Sequence, residues 1–332
     1  NGNFLLKWGS YGAGDGQFSH PYGLAVDLSG AVYVADSRNH RVQKFDASGN
    51  FLLKWGTEAT GDGRFCEPYG IAVDSFGNLY VADSNNHRVQ KFGSSGNFLL
   101  KWGSPGSGDG QFSSPEGIAV DSSGSVYLAD SGNNRVQKFD SSGNFLVKWG
   151  SQGSGDGQFS YPEDIAGDSA GNLYVADGSN YRVQKFDSSG NFLLKWGSQG
   201  TGDGQFSYPE AVAADSSANV YVADCGDQPV QNVQKFDSGG NFLLKWGSQG
   251  TGNGQFAWPE GMAVDSSGNL YVADTYNGRI QKFDDSGQFL ASWQPYGMGD
   301  GVPTWPTDVA VGADGAIYVL NGQAWNVEKW QY

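Results

Sequence analysis

The sequence predicts an all-β fold, a seven-bladed β-propeller of four-stranded antiparallel blades. Three observations carry this: an internal period of 47 residues, four strand-like runs in each period, and a count of seven for two separate markers. The period is plainest in Asn-Phe-Leu-Leu-Lys-Trp-Gly at Asn3–Gly9, which recurs from Asn50, Asn97, Asn144 and Asn191. It returns after a step of 50 at Asn241, and in altered form at Gln288. Self-similarity at such a period marks a repeat architecture.

Each unit has a fixed order. In the second unit the runs are Pro68–Asp74, Gly77–Asp83, Arg88–Phe92 and Asn97–Trp102. All are short, rich in β-branched and aromatic residues, and bounded by Gly, Asn, Asp or Pro, which is strand patterning. The Ser-Ser-Gly-Asn links supply turn chemistry, and no window sustains a helical period. Four such strands repeated around a centre make a propeller.

Two markers set the blade number. Inner-strand prolines occur at Pro21, Pro68, Pro115, Pro162, Pro209, Pro259 and Pro306. Third-strand cores start at Val42, Val89, Val136, Val183, Val233, Ile280 and Val327. The chain opens on a fourth strand and runs out after a third, at Tyr332. Residues 3–8 are therefore predicted to complete the last blade and close the ring, which removes two open sheet edges. Residues 1–332 then form one domain.

The run Gly-x-Gly-Asp-Gly-Gln-Phe-x-x-Pro-x-Gly-Ile-Ala-Val-Asp, followed by Tyr-Val-Ala-Asp-x-x-Asn-x-Arg-Val-Gln-Lys-Phe, resembles the NHL repeat. The likeness recurs seven times over essentially the whole chain. Most NHL domains have six blades, so seven is a departure. The resemblance implies the fold and leaves the activity open, because the family includes RNA-binding, protein-binding, sensor and lyase members. Its lyases rely on histidines and a metal in the central channel. No histidine here falls on an inner strand, so catalysis is the minority expectation.

Charge narrows the partners. Against 20 basic side chains stand 35 acidic ones, a net charge of −15. Nucleic-acid binding needs a basic surface, and the basic residues, such as Arg41, Lys44 and Lys54, fall on third and fourth strands toward the rim. Nucleic acid is not an expected partner, and neither is membrane insertion. The expected setting is extracellular or cell-surface, with a cytoplasmic one still open. A chain that opens in mid-repeat reads as trimmed from something longer, so a missing leader carries no weight. Cys66 and Cys225 lie about three blades apart, too far for a disulfide, and are expected as free thiols.

The constant positions read as scaffold. Outer-strand lysines (Lys7, Lys54, Lys101, Lys148, Lys195, Lys245) would discourage edge pairing. The tryptophan after each, as in Trp8 and Trp55, would pack between blades. Gly-Asp-Gly loops at Asp15, Asp62, Asp109, Asp156, Asp203 and Asp300 read as tight turns held by aspartate hydrogen bonds. They lack the alternating carboxylates of a calcium loop.

Function is expected where the repeats disagree. The residue after each inner-strand proline runs Tyr22, Tyr69, Glu116, Glu163, Glu210, Glu260, Thr307. The residue before it runs His20, Glu67, Ser114, Tyr161, Tyr208, Trp258, Trp305. The next-but-one position is glycine in four blades but Asp164, Ala211 and Asp308 in the others. These columns predict arcs around the channel mouth. The candidate ligand-binding set is Glu116, Glu163, Asp164, Glu210, Glu260 and Asp308, with Tyr161, Tyr208, Trp258 and Trp305. Carboxylates beside aromatic faces suit a cationic group or a sugar, so the expected ligand is a basic peptide, a partner protein or a carbohydrate. The alternatives are a metal-assisted hydrolase or lyase with a cation such as Ca²⁺ among the glutamates, and a structural spacer. No other cofactor is expected.

Two further features are weighed. His20, His40, Cys66 and His87 share a face, but His40 and His87 occupy equivalent places in adjacent blades and should not converge on one zinc. Blade five carries Asp224-Cys-Gly-Asp-Gln-Pro-Val-Gln-Asn in place of the usual turn, three residues longer. It reads equally as a contact loop or as a tolerated insertion.

Overall fold

The computed structural model describes residues 3–226, 230–294 and 304–331. Seven four-stranded antiparallel sheets are arranged in a ring. Blade one shows the plan: inner strand Pro21–Val26, second Val32–Asp36, third Arg41–Phe45 and outer Phe51–Trp55. Apart from short 3₁₀ turns, such as Ser37–Asn39 after the second strand, the described elements are all strands.

The second strand explains its own composition. Val32, Tyr33, Val34 and Ala35 are fully buried, because the blade is covered on both faces. Period-two alternation divides them between two seams. Val32 and Val34 pack with Tyr318 and Leu320 of blade seven, while Tyr33 packs with Val81 and Phe92 of blade two. Outer strands are covered on one side only. In Phe51–Trp55, Leu52 and Lys54 face solvent, while Trp55 lies 5.4 Å from Phe92 of the next blade. The outer-strand tryptophans therefore pack between blades, as the repeat predicted.

Closure follows the same register. Asn3–Trp8 pairs antiparallel with Asn326–Gln331, and Trp8 faces Val327 just as Trp55 faces Val42. Third-strand lysines tie neighbouring blades together. Lys44 lies 4.9 Å from the centre of the Tyr33 ring, and its Nζ donates to the Ser94 carbonyl of blade two at 2.6 Å. Lys91 and Lys138 repeat the link to Ser141 and Ser188. Lys329 carries it across the closure to the Ala47 carbonyl at 3.1 Å.

Two expectations about charge need correction. Arg41 and its equivalents are not rim cations. Arg135 is 5% exposed, and its Nε donates to the fully buried Asp130 at 2.7 Å. Its other nitrogens donate to the carbonyls of Ser107, Gly108 and Gln111. The arginine thus binds the long link before the inner strand to the middle of its blade. The Gly-Asp-Gly aspartates do not brace their own turns either. Asp15, Asp62, Asp109, Asp156 and Asp203 pair with the outer-strand lysines Lys54, Lys101, Lys148, Lys195 and Lys245 at 2.5–2.8 Å. The loop is held instead by glutamine side chains: the amide of Gly108 donates to Gln111 and that of Gly110 to Gln137. Asp300 lies outside the described residues.

At the channel the inner strands nearly touch. A Cβ on Gly70 would stand 2.1 Å from the Glu116 carbonyl oxygen of the next blade. Gly70→Ala is expected to cost about 1–3 kcal/mol through overpacking, read from the urea midpoint. An unchanged midpoint would mean that the inner strands can spread.

Candidate functional site: an acidic channel mouth

The site lies at the end of the channel where the inner strands begin. Each long link enters there, and the 3₁₀ turn after the second strand lies beside it, as when the Gly132 amide donates to the Ser113 carbonyl. The residue after each inner-strand proline therefore faces the channel, and its neighbours stand behind it.

The four glutamates converge. Glu116, Glu163, Glu210 and Glu260 line one cavity of about 390 Å³, together with Asp164 and Asp308. Tyr22, Tyr69 and Thr307 complete the ring, and no lysine or arginine lines it. Tyr22 and Tyr69 stack with centroids 4.8 Å apart at 21°. They stand in the same column as the glutamates and belong to the site, although the candidate set omitted them. The Tyr69 phenol is held protonated above its usual range, mainly by burial, with Glu116, Tyr22, Glu260 and Glu210 adding to the effect.

The expected aromatics do not line the cavity but support it from behind. The Tyr161 hydroxyl of blade four donates to Glu116 of blade three at 3.0 Å. The Tyr208 hydroxyl of blade five likewise donates to Glu163 of blade four. Trp258 of blade six lies beside Glu210 of blade five. In blades four to six the residue before the proline thus reaches back to the glutamate of the preceding blade. Trp305 departs from this and packs on Tyr276 at 5.5 Å, which stacks on Trp258 at 5.7 Å. Tyr276 was not anticipated, because its column holds Arg38, Asn85, Gly132 and Ser179 in other blades.

The two aspartates serve the ring as well as the mouth. Asp164 accepts from the amides of Ile165 and, in the next blade, Val212. Asp308 accepts from Val309 and, across the closure, Leu24. Each turns a position that is glycine in four other blades into a link between blades.

Burial sets the protonation of the mouth. It pushes Glu163 up to about 7, opposed by the Tyr208 hydroxyl and reinforced by Glu116, Glu210 and Asp164. It pushes Glu260 up to about 8, with Glu210 adding and Thr275 opposing. Asp308 rises to about 7 from burial, despite its two amide donors. Glu116, Asp164 and Glu210 shift upward for the same first cause. A carboxyl in a crowded, half-buried cluster holds its proton more tightly than in water.

Two of the three histidines have other work. His40 Nδ1 accepts from the Glu67 amide and His87 Nδ1 from the Ser114 amide, both at 3.2 Å, so each links its turn to the next blade. Asn134 and Gln231 accept from Tyr161 and Trp258 in the same manner. Among the described residues no three His, Cys, Asp or Glu side chains are grouped to hold a metal ion. Cys66 and Cys225 are free thiols. In blade five, residues 227–229 of the insertion lie outside the described residues.

Comparison with known proteins agrees with this architecture. The NHL repeat family matches residues 18–45, 65–92, 112–139, 159–186 and 256–283, each running from before the inner strand through the third. A 43-residue stretch is 46% identical to the B-box type zinc finger protein ncl-1 of Caenorhabditis elegans, covering 13% of this chain and 5% of that protein. A 42-residue stretch is 50% identical to protein lin-41 of the same organism, covering 13% and 4%. The chain therefore spans only a small part of the length of these relatives. A virginiamycin B lyase of Staphylococcus aureus with quinupristin superposes with a TM-score of 0.76 at 14% identity, over 100% of this chain and 98% of that one. Hydrazine synthase of Kuenenia stuttgartiensis gives 0.72 at 17% identity, over 95% and 96%. At such identities the likeness is one of fold. With seven repeat units closed into one ring, the chain is a seven-bladed β-propeller in which five of the units match the NHL repeat.

Proposed function

We propose that the protein is a non-catalytic binding scaffold that takes a cationic side chain of a basic peptide or partner protein into the channel mouth. One observation carries this reading: six carboxylates line a cavity of about 390 Å³ with no basic residue among them. The stacked Tyr22 and Tyr69 rings offer a cation the face of a π-system. Tyr161 and Tyr208 fix the carboxylates before the ligand arrives, which lowers the ordering cost of binding.

The test uses labelled hexa-arginine and hexa-lysine peptides in fluorescence anisotropy. Glu163→Gln combined with Glu210→Gln is expected to weaken binding at least tenfold and to leave the melting temperature nearly unchanged. Unfolding of the double variant, or peptide binding that ignores it, would overturn the reading. The pH dependence has a definite sign. Glu163 and Glu260 titrate near 7 and 8 in the empty protein, so affinity for a cation should rise between pH 6 and pH 8.5. In the empty protein the same raised values favour the fold below the unfolded pKa of about 4.3. That contribution is lost as pH rises through the folded values. Calcium titration in parallel separates a metal occupant from a peptide one.

The same two glutamates support a second reading. Carboxyls poised near neutrality are the kind that exchange protons in hydrolysis. Turnover of glycoside or ester substrates that is lost in Glu260→Gln would favour it over a binding scaffold.

A further inference from the structure

At the far end of the inner strands the seven blades differ at one position. The last inner-strand residue is Val26, Val73, Val120, Ala214, Val264 or Val311 in six blades, and Gly167 in blade four. In those six blades the side chain packs against the hydrophobic cluster of its seam. The cluster between blades three and four has no such member. Gly167 does not answer a steric need, since a Cβ there would meet nothing closer than 3.8 Å.

A cavity of about 500 Å³ opens at this seam. Removing one large apolar side chain from a core leaves on the order of 150 Å³, so a missing valine does not account for the space. The turns of two blades build the rest. Ala119, Val120 and Leu173 form an apolar wall, and Ser122, Ser169 and Ser188 supply polar groups.

The polar inventory indicates the ligand. Asp121 and Asp168 also border the cavity, but each is occupied. Asp121 accepts from Ser123, Ser125 and Tyr127. Asp168 accepts from Ala170, Asn172 and Tyr174. Their charge is spent on the turns, and no lysine or arginine lines the cavity to pair with an anion. Remaining for a ligand are the hydroxyls of Ser122, Ser169 and Ser188, which donate and accept alike, beside an apolar wall. Neutral polyhydroxylated molecules match this, with hydroxyls to the serines and C–H faces to the wall. Glu163 and Gly167 lie four residues apart on the same inner strand, which puts this cavity roughly 13 Å from the acidic mouth at strand rise.

We propose that the seam between blades three and four holds a second ligand site, opened by Gly167, for a sugar or related polyol. The site is independent of the mouth. The test is saturation-transfer NMR with the methyl glycosides of glucose, galactose, mannose and N-acetylglucosamine, and with myo-inositol. Oligosaccharides ending in the best monosaccharide distinguish a free sugar from a glycan terminus. At least one probe should bind the unaltered protein. Gly167→Val, which restores the residue of the sister blades, should weaken it at least tenfold and hold or raise the melting temperature. Ser169→Ala should weaken it more modestly, and the Glu163→Gln, Glu210→Gln variant should bind normally. Binding by none of the probes, or undiminished binding by Gly167→Val, overturns the proposal.

Discussion

Arg135→Ala is expected to destabilise the protein by about 3–5 kcal/mol, the usual cost of removing one partner from a buried ion pair. Asp130 is fully buried, and its carboxylate would lose the 2.7 Å Nε donor. The carbonyls of Ser107, Gly108 and Gln111 would lose donors in the same step. The long link before the inner strand should loosen as the blade weakens. Urea unfolding gives the stability, and amide exchange across residues 104–112 gives the link. A loss below about 1 kcal/mol, as for exposed ion pairs, would mean that water reaches Asp130 and replaces the guanidinium.

The second large effect has the opposite direction. In blade five the clamp arginine is replaced by Asn232, yet the buried Asp224 remains. Burial pushes this carboxyl up to about 6, although the amides of Tyr208 and Ser207 hold it down. Blade seven holds an uncharged version of the pair. There both members are asparagine, and Asn321 Nδ2 donates to Asn326 Oδ1 at 2.6 Å. Asp224→Asn would recreate that pair, since Asn232 Oδ1 is buried without a donor. The sign follows from the raised folded value. Asp224 favours the fold while protonated, and this contribution is lost as pH rises from about 4 through about 6. The variant should therefore exceed the unaltered protein by about 1–3 kcal/mol at pH 8 and lose its advantage below pH 4. Thermal melts at the two pH values decide. An advantage that does not change with pH would place the charge of Asp224 elsewhere.

The fold was legible because the chain repeats it. Strand order, blade number and closure by residues 3–8 all follow from counting one motif, and the pairing of Trp8 with Val327 is the counted register made physical. The glutamate arc was legible for the complementary reason: scaffold positions stay constant, so the columns that vary mark the mouth. Tyr22 and Tyr69 stood in that column, but the candidate set followed acidity and overlooked the two blades where the column is aromatic. The clamp could not be read at all. Arg135 reaches carbonyls 24–28 residues earlier in the chain, and periodicity does not show that the link folds back over its own blade. A lysine–arginine pattern on third strands therefore looked like a charged rim, although the arginine is interior. Gly167 was similarly silent, since one glycine among 52 acquires meaning only beside six packed equivalents.

Closure by a strand identical to its sisters has a kinetic consequence. Asn3–Trp8 carries the same Phe-Leu-Leu-Lys-Trp as the outer strands that begin at Phe51, Phe98, Phe192 and Phe242. Nothing in its side chains distinguishes the right partner from four wrong ones. The other outer strands are delivered to their partners by a short turn, whose loop-closure cost is small. The first strand must instead search across the whole ring, so closure is expected as the last and slowest event of folding. At high concentration the search can end on another molecule, with the first strand of one chain completing the last blade of its neighbour. Refolding dilute and then concentrated protein should move the product from monomers to strand-exchanged oligomers.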